Sequence, residues 1–515
     1  MRFPYFRIPA VFVLSLAGPL AGQQSLTVDT AGVGALMDEG MNRSEVMKNL
    51  AYLSDVIGPR LTGSPAARAA NDWTMRRFQD YGLSGHLEQW SFGGTWTRGP
   101  MWAHLVAPRT HDLVAASWAW CPGTGGKPVR GPVVRIDVST PESLAANRSR
   151  VKGAWVMLAA PTNVWNNDGP AMTAADSQRQ RDSFRRLFGF PPGLDSARRA
   201  AITQFRNDLP FLLRNAGALG EVLDAGKEQD LLNMSGSPNR IYPYPRIVVA
   251  HEEFAMLDRL LAAGSAPQIE ASITNAMTTD SVPQWNTVAE IKGSAAPGEV
   301  VIVGAHLDSW DLGSGTTDNG TGSMATLEAA RIIARSGVTP KRTIRFVLFT
   351  GEEEGLIGSR KYAETHAAEA DSIQAVIVLD NGAGAITGQA LQGRPDLYYL
   401  WRALLRPVHD LNADTVTDAM KGGTDHLSFI PYGVPGFNFN QITRGYNHTH
   451  HSQSDTYDKA IDWDLRQAST VMAVSALELA NLDGMIPRGS KRPVQPMTAT
   501  KISDSLTVAK RGGRN

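Results

Sequence analysis

The stretch EVVIVGAHLDSWDLGSGTTDNGTG, residues 299–322, decides the fold class. Glu299 to Ala305 is a short run rich in Val and Ile, without polar alternation, and reads as a strand buried on both faces. The run ends at His306, a Gly-rich loop follows, and from Gly320 to Ala334 the residues Met324, Leu327 and Ile332 recur on one helical face. The same plan repeats downstream. Arg342 to Phe349 (RTIRFVLF) is a strand, Tyr362 to Ala370 a short helix, Ala375 to Leu379 (AVIVL) a strand, and Val434 to Phe439 a further strand candidate. Apolar strands alternating with helices predict an α/β fold, with a mixed, mostly parallel sheet sandwiched by helices.

Upstream, Asn42-Arg-Ser-Glu45 has the form of a helix cap, with Met47, Leu50, Leu53 and Ile57 at helical spacing behind it and Gly58-Pro59 as its stop. Arg60-Leu-Thr-Gly-Ser-Pro65 is turn-rich. Ala66 to Tyr81 is a second amphipathic helix, anchored by Trp73, Phe78 and Tyr81 and closed by Gly82. Between about residues 110 and 275 the texture changes. Val133 to Ile136, Ala154 to Leu158 and Arg246 to Val249 are short β-type runs between Gly/Pro turns. Ser177 to Arg206 is Arg-, Asp- and Gln-rich, helical and exposed, interrupted at Pro191-Pro192-Gly193, and is a candidate lid. This block shows no reactive cluster.

At the N-terminus, Arg2 and Arg7 precede an apolar run from Ile8 to Leu20, followed by Ala21-Gly22 and Gln23-Gln24. That is the pattern of an export signal, and the run is shorter than the roughly 20 residues of a membrane span. The chain then divides into a signal (1–23), the first part of the α/β domain (24–110), a β-rich insertion (111–275), the main part of the α/β domain (276–485) and a loosely held tail (486–515) rich in Lys, Arg, Pro, Ser and Thr. The expected location is periplasmic or extracellular, with no membrane attachment once the signal is cleaved.

Composition narrows the classes. Of 515 residues, 42% are hydrophobic and 19% charged, so core material is ample. Lys+Arg 50 balances Asp+Glu 50, which argues against a nucleic-acid partner, since binding the phosphate backbone leans on a basic excess. The single cysteine, Cys121, excludes an internal disulfide, Cys-type zinc sites and iron–sulfur centres. Two of the N-x-S/T sites, Asn319 and Asn447, fall among the reactive residues, where a glycan has no room, and this leans toward a bacterial exported protein.

The residue types that bind metals fall where the strands end. His306 and Asp308 follow the first strand, Asp318 lies in the next loop, Glu352 and Glu353 follow RTIRFVLF, Asp380 ends AVIVL, and His451 lies in a His-rich loop. In open α/β sheets, ligands bind beyond the carboxyl ends of the strands, so topology converges these groups on one crevice. Three carboxylates (Asp318, Glu353, Asp380) and two imidazoles (His306, His451) keep negative charge with one Zn²⁺ and are balanced by two Zn²⁺ and a bridging hydroxide. Paired ions about 3.5–4 Å apart need a bridging carboxylate, and Asp318, in the loop between strands, is the candidate. Asp308, two residues beyond His306 in extended chain, is placed to accept the second ring N–H of His306. Glu352 and Glu353 lie between Gly351 and Gly355, where the chain can curl and present both, one to metal and one to protons.

These residues, with Thr317-Asp318-Asn-Gly-Thr-Gly, Thr350-Gly-Glu352-Glu353-Glu-Gly and His451-Ser-Gln-Ser-Asp455-Thr, resemble the co-catalytic di-zinc exopeptidases. HLDSWDLGSG, Gly423-Thr-Asp425, Gly433-Val-Pro-Gly436 and Arg60-Leu-Thr-Gly-Ser-Pro65 are similar in wording to the carboxypeptidase Q branch. The resemblance covers roughly residues 40–110 and 280–485. It implies one zinc on His306 and Asp380, a second on Glu353 and His451, Asp318 bridging, Glu352 as general base and acid, and Asp308 in support. It also implies that the 111–275 block is a protease-associated insertion. Related folds include a single-zinc glutaminyl cyclase and a non-catalytic binding ectodomain, which are the alternatives to an exopeptidase. The expected partner is a peptide substrate, and a homodimer is left open. Trp310, Arg444, Tyr446, His448 and His450 are the candidate substrate contacts. An acidic pocket would select a free amine and an Arg a free carboxylate, and both readings stay open.

Overall fold

The computed structural model describes residues 32–162, 195–240 and 242–494. The expected export signal, the Pro191-Pro192-Gly193 interruption, the Ser177–Arg206 stretch before Asp195 and the far end of the tail lie outside the described residues.

The main sheet has eight strands, in the order His86–Phe92, Val282–Ile291, Arg342–Phe349, Ala296–His306, Ile373–Val378, Gly436–Gln441, Ile386–Ala390 and Thr415–Thr417. The four central strands, from Arg342–Phe349 to Gly436–Gln441, are parallel, and the strand next to them on each side, Val282–Ile291 and Ile386–Ala390, joins antiparallel. The unalternating apolar runs have a direct cause. Val301 and Val303 pack into the cluster formed with Met324, Leu327 and Val471, while Val300 and Ile302 pack into the opposite one with Tyr362 and Phe429. Both faces are therefore dry, and each large apolar side chain contributes about 1.5–3 kcal/mol by leaving water. The helices Val33–Asn42, Thr321–Ser336 and Asp462–Asn481 supply the first cluster, and Ile357–Thr365 the second. Register then positions the site. His306 lies opposite Phe349, and Gly304 opposite both Val347 and Val378, so the three strands end together.

Several local expectations change. Asn42 does not cap a helix but ends the helix Val33–Asn42, which the sequence pattern does not announce. Its successor starts at Val46 and stays helical to Ile57, and the Ser44 hydroxyl donates to Glu328 instead of closing a capping box. The second helix runs Pro65–Asp80, with the Ser64 hydroxyl accepting from the Ala67 amide. The short helix after Arg342–Phe349 lies at Ile357–Thr365, earlier than expected, because the turn after Gly351 is tight.

A second eight-stranded sheet is built from residues 101–273. It begins at Met101–Ala107, so its first strand precedes the boundary at residue 111 expected from texture. It meets the main unit through an apolar cluster that includes Trp90, Phe92, Trp96, Trp120, Met234 and Trp310. The tail is not loose at its start. Ile486 is buried, its amide donates to Gln374, and the amides of Gly489 and Arg492 donate to the carbonyls of Gly433 and Pro431. No described helix is long and apolar enough to cross a membrane.

Candidate metal centre

Strand ends and three loops bring the predicted groups together. His306 Nε2 lies 3.4 Å from Asp318 Oδ1, 3.5 Å from Asp380 Oδ1 and 3.9 Å from Glu352 Oε2. On the other side, His451 Nε2 lies 3.5 Å from Asp318 Oδ2 and 3.0 Å from Glu353 Oε2, and His450 Nε2 lies 3.7 Å from Asp318 Oδ2. Asp318 thus turns one oxygen to each imidazole group. His306, Asp318 and Asp380 form one set of ligand-type atoms close enough to hold an ion, and Asp318, His450 and His451 form another.

The expectation for Asp308 is corrected in its atom. His306 Nδ1 meets the backbone carbonyl of Asp308 at 3.0 Å, while the Asp308 carboxylate is 3.7 Å away. A carbonyl can only accept, so Nδ1 carries a hydrogen and Nε2 is the ring atom that faces Asp318 and Asp380. The Asp308 carboxylate is used elsewhere: Oδ2 accepts from the Thr62 hydroxyl (3.0 Å) and the Glu353 amide (3.3 Å). It fixes the turn that carries Glu352 and Glu353. In that turn Gly351 has φ 76°, and a Cβ there would stand 2.7 Å from the Trp90 ring, so both conformation and space call for glycine. The Thr62 hydroxyl accepts from the Gly351 amide.

Asp318 is held from behind. The Asp455 carboxylate accepts from the amides of Thr317 (2.5 Å) and Asp318 (3.1 Å), and the Asp455 carbonyl accepts from Ser314. His451 has φ 59°, a left-handed conformation that costs a non-glycine residue about 1–3 kcal/mol. The second unit secures it, because the Met234 amide donates to the His451 carbonyl at 2.9 Å.

The electrostatics are those of crowded anions out of water. Burial pushes Glu352 and Glu353 well above the usual carboxylate range, with neighbouring carboxylates adding to the rise. Burial opposes protonation of His306, yet Asp380 and Glu352 pull it well above its ordinary value. Burial lowers His451 and pushes His450 down to about 4. Asp318 is held far below its usual value against burial, by its hydrogen bond with His306 and by His451. Asp308 Oδ1, Asp318 Oδ2 and Glu353 Oε1 are buried without a hydrogen-bond partner among the described residues. Orphaned buried oxygens on acceptor-only groups need a cation, and carboxylate and imidazole donors suit zinc.

Of the candidate substrate contacts, Trp310 is buried and meets the His451 ring edge-on at 5.9 Å. The Tyr446 ring meets His450 at 5.1 Å, and burial together with the Asp318 carboxylate raises its hydroxyl far above the ordinary range. His450 stacks on His451 at 3.7 Å. The His448 carbonyl accepts from the Ser452 hydroxyl. Arg444 is committed elsewhere, with its guanidinium bidentate on Asp464 at 2.7 and 3.2 Å.

Four features were not singled out by residue pattern. Arg60 is completely buried and donates to the carbonyls of Leu307, Gly58, Ser314 and Gly315. Glu354 is buried with both carboxylate oxygens unpartnered among the described residues. Asp425, pushed up to about 7 by burial, lies within the field of Glu352. Lys227, from the second unit, donates to the Asn447 carbonyl beside the His-rich loop. Arg60, Glu354 and Asp425 were visible only inside quoted motifs, and Lys227 carried no signal.

Residues 286–477 match the model of peptidase family M28. Carboxypeptidase Q of Rattus norvegicus is 29% identical over 456 residues, which span 88% of this chain and 89% of the relative. A peptidase M28 precursor from Shewanella amazonensis superposes with a TM-score of 0.70 at 22% identity, over 90% of this chain and 98% of that one. BSAP, a zinc aminopeptidase from Bacillus subtilis, superposes with a TM-score of 0.60 at 18% identity, over 85% and 95% respectively.

Proposed function

Taking as premise that the chain is a metallopeptidase of the co-catalytic zinc exopeptidase family, related to carboxypeptidase Q, we propose that it is an exported exopeptidase that hydrolyses short peptides with two zinc ions. The observation that carries this reading is Asp318, with Oδ1 toward His306, which also lies beside Asp380, and Oδ2 toward His451, which also lies beside Glu353. In it, His306 and Asp380 would hold one ion, Glu353 and His451 the other, and Asp318 would serve both. The ions, when bound, supply Lewis-acid polarisation of a peptide carbonyl and acidify water.

The chain's own residues do the rest. Glu352 lies at the rim of the centre, 3.9 Å from His306 Nε2, and no hydrogen bond among the described residues occupies its carboxylate. It takes a proton from the attacking water and returns it to the leaving amine, a task that suits a carboxylate raised by burial. Trp310 walls off water beside His451. The Asp308 carbonyl keeps His306 in the tautomer that offers Nε2. The second sheet is the protease-associated insertion in this reading.

The test is a dipeptide panel with and without chelator, alongside zinc analysis and Glu352→Gln. Chelation is expected to abolish hydrolysis, zinc near two per chain to restore it, and Glu352→Gln to lower kcat at least about a thousandfold with zinc retained. Retained hydrolysis in that variant would overturn the proton-transfer assignment. One zinc per chain with cyclisation of Gln-peptides would overturn the exopeptidase reading.

A further inference from the structure

Among the described residues, the second unit reaches the metal centre through the loop that follows the strand Gly220–Asp224. Its loop after the strand Gly220–Asp224 is pinned to its own sheet, the Gly226 amide donating to Asp224 and the Gln229 amide to Glu252, both at 2.8 Å. The same loop is pinned to the His-rich loop: the Leu232 amide donates to Gln453, Gln453 donates to the Asp230 carbonyl, and the Met234 amide donates to the His451 carbonyl. Between these ties stands Lys227. Its ammonium donates to the Asn447 carbonyl, three residues before His450.

Lys227 is unusual in what it lacks. An ammonium has three donors, and one carbonyl uses one of them. No carboxylate of the described residues pairs with it, although its side chain is withdrawn from water enough for burial to push it down to about 8. Its field reaches Asp318, His450 and His451. A partly desolvated ammonium with no carboxylate in direct contact has donors left for an anion. The Arg that the sequence offers for a substrate carboxylate, Arg444, is already paired with Asp464. Among the described residues, Lys227 is a cation at this crevice with donors to spare.

Position decides what those donors take. In a peptide whose last residue follows the scissile bond, the free carboxylate is one residue away, about 3.8 Å of chain. Its anchor must stand beside the reacting centre and not far out along a groove. A cation there also repels a free amine. We infer that Lys227 anchors the free α-carboxylate of a substrate whose single C-terminal residue follows the scissile bond, as in a dipeptide. This rests on the peptidase reading above and narrows its substrate class. The hydrogen bond to Asn447 aims the ammonium, and the ties on both sides of the loop keep it in place. The insertion thereby selects substrate length.

The experiment compares wild type, Lys227→Met and Lys227→Arg on a free dipeptide, the same dipeptide amide, and an aminoacyl p-nitroanilide. Lys227→Met is expected to raise KM for the free dipeptide at least about tenfold with kcat nearly unchanged, and to leave the two substrates without a carboxylate unaffected. Lys227→Arg is expected to recover most of the loss. Calorimetric binding of the free dipeptide to Glu352→Gln, with and without Lys227→Met, gives a readout that needs no turnover. Equal losses on all three substrates, or no loss on the dipeptide, would overturn the assignment. Wild type that cleaves none of the substrates, while dipeptide binding still drops with Lys227→Met, would sink the peptidase reading and leave the anchor standing. Neither turnover nor binding would remove both.

Discussion

Replacing Arg60 by Met isolates the contribution of one buried guanidinium to the shape of the metal centre. The thioether keeps most of the apolar stem and loses every donor. Arg60 Nε donates to the Leu307 carbonyl at 2.6 Å and Nη2 to the Gly315 carbonyl at 2.6 Å, both buried, while Nη1 serves the partly buried carbonyls of Gly58 and Ser314. Leaving a buried acceptor without a donor costs about 1–3 kcal/mol, so the two fully buried carbonyls alone set a loss of about 4 kcal/mol. Exchanging a buried charge for an apolar group is often neutral or favourable. Here it is not, because Asp455, Asp308, Glu353 and Asp318 all favour the positive charge, which burial pushes down only to about 10. Removing it increases the repulsion among them. Repair by movement is blocked as well: a Cβ at Gly315 would already lie 2.2 Å from the Ser309 hydroxyl, so the loop has little room to close over the gap. For an unfolding unit of about 300 residues, roughly 0.6 kcal/mol per degree converts the loss to a Tm drop of about 7 °C. Thermal unfolding of metal-free and zinc-loaded protein, with a competitive zinc titration, reads both consequences. Lys in place of Arg should recover less than half, since a point ammonium cannot span Leu307 and Gly315. A Met variant with Tm within about 1 °C of wild type and unchanged zinc affinity would refute the reasoning.

Lys227 also carries a pH signature. It is protonated below about 8 and neutral above, so kcat/KM for the free dipeptide should fall as pH rises through about 8, and the dipeptide amide and Lys227→Arg should lack that limb. Identical limbs for acid and amide in pH–rate profiles would count against it. Asp455→Asn places an amide donor opposite the N–H of Thr317 or Asp318. Zinc affinity by competition titration is expected to drop about 10–100-fold with the fold intact by circular dichroism, and unchanged affinity would show that Asp318 needs no such support.

Much of the sheet was legible because its inner strands are buried on both faces. Arg342–Phe349 runs between the residues expected from sequence, and Ile373–Val378 differs only at its ends. Helices with one polar face and a glycine stop were equally clear, as with Pro65–Asp80. What failed were local signals overruled by distant partners. Asn42-Arg-Ser-Glu45 has the letters of a cap, but the Ser44 hydroxyl and the Glu45 amide are both taken by Glu328, on another helix. The tail composition from Ile486 reads as loose, yet Ile486 fills the edge of the core and the chain after it bonds along the 431–433 turn.

For the centre, spacing along the chain predicted the neighbourhood but not the atoms. The i,i+2 rule placed Asp308 beside His306 and still named the wrong acceptor, because the chain turns after His306 and brings the Asp308 carbonyl to the ring. Long-range support is invisible to any local pattern, since Arg60 and Lys227 are single residues whose meaning depends on loops far from them in sequence.

The two supports nevertheless follow one electrostatic logic. The crevice concentrates acidic groups at strand ends, and its fixed cations are placed where each meets a different demand. Arg60, inside the fold, has its donors on loop carbonyls and therefore shapes the ligands without competing for them. Lys227, at the mouth, keeps donors in reserve. The loop that carries it also supplies, through Met234, the bond that holds His451 in its left-handed conformation. One segment of the second unit thus sets the geometry of a candidate ligand and presents the charge that selects the substrate's end, so a change in that segment should move metal affinity and substrate preference together.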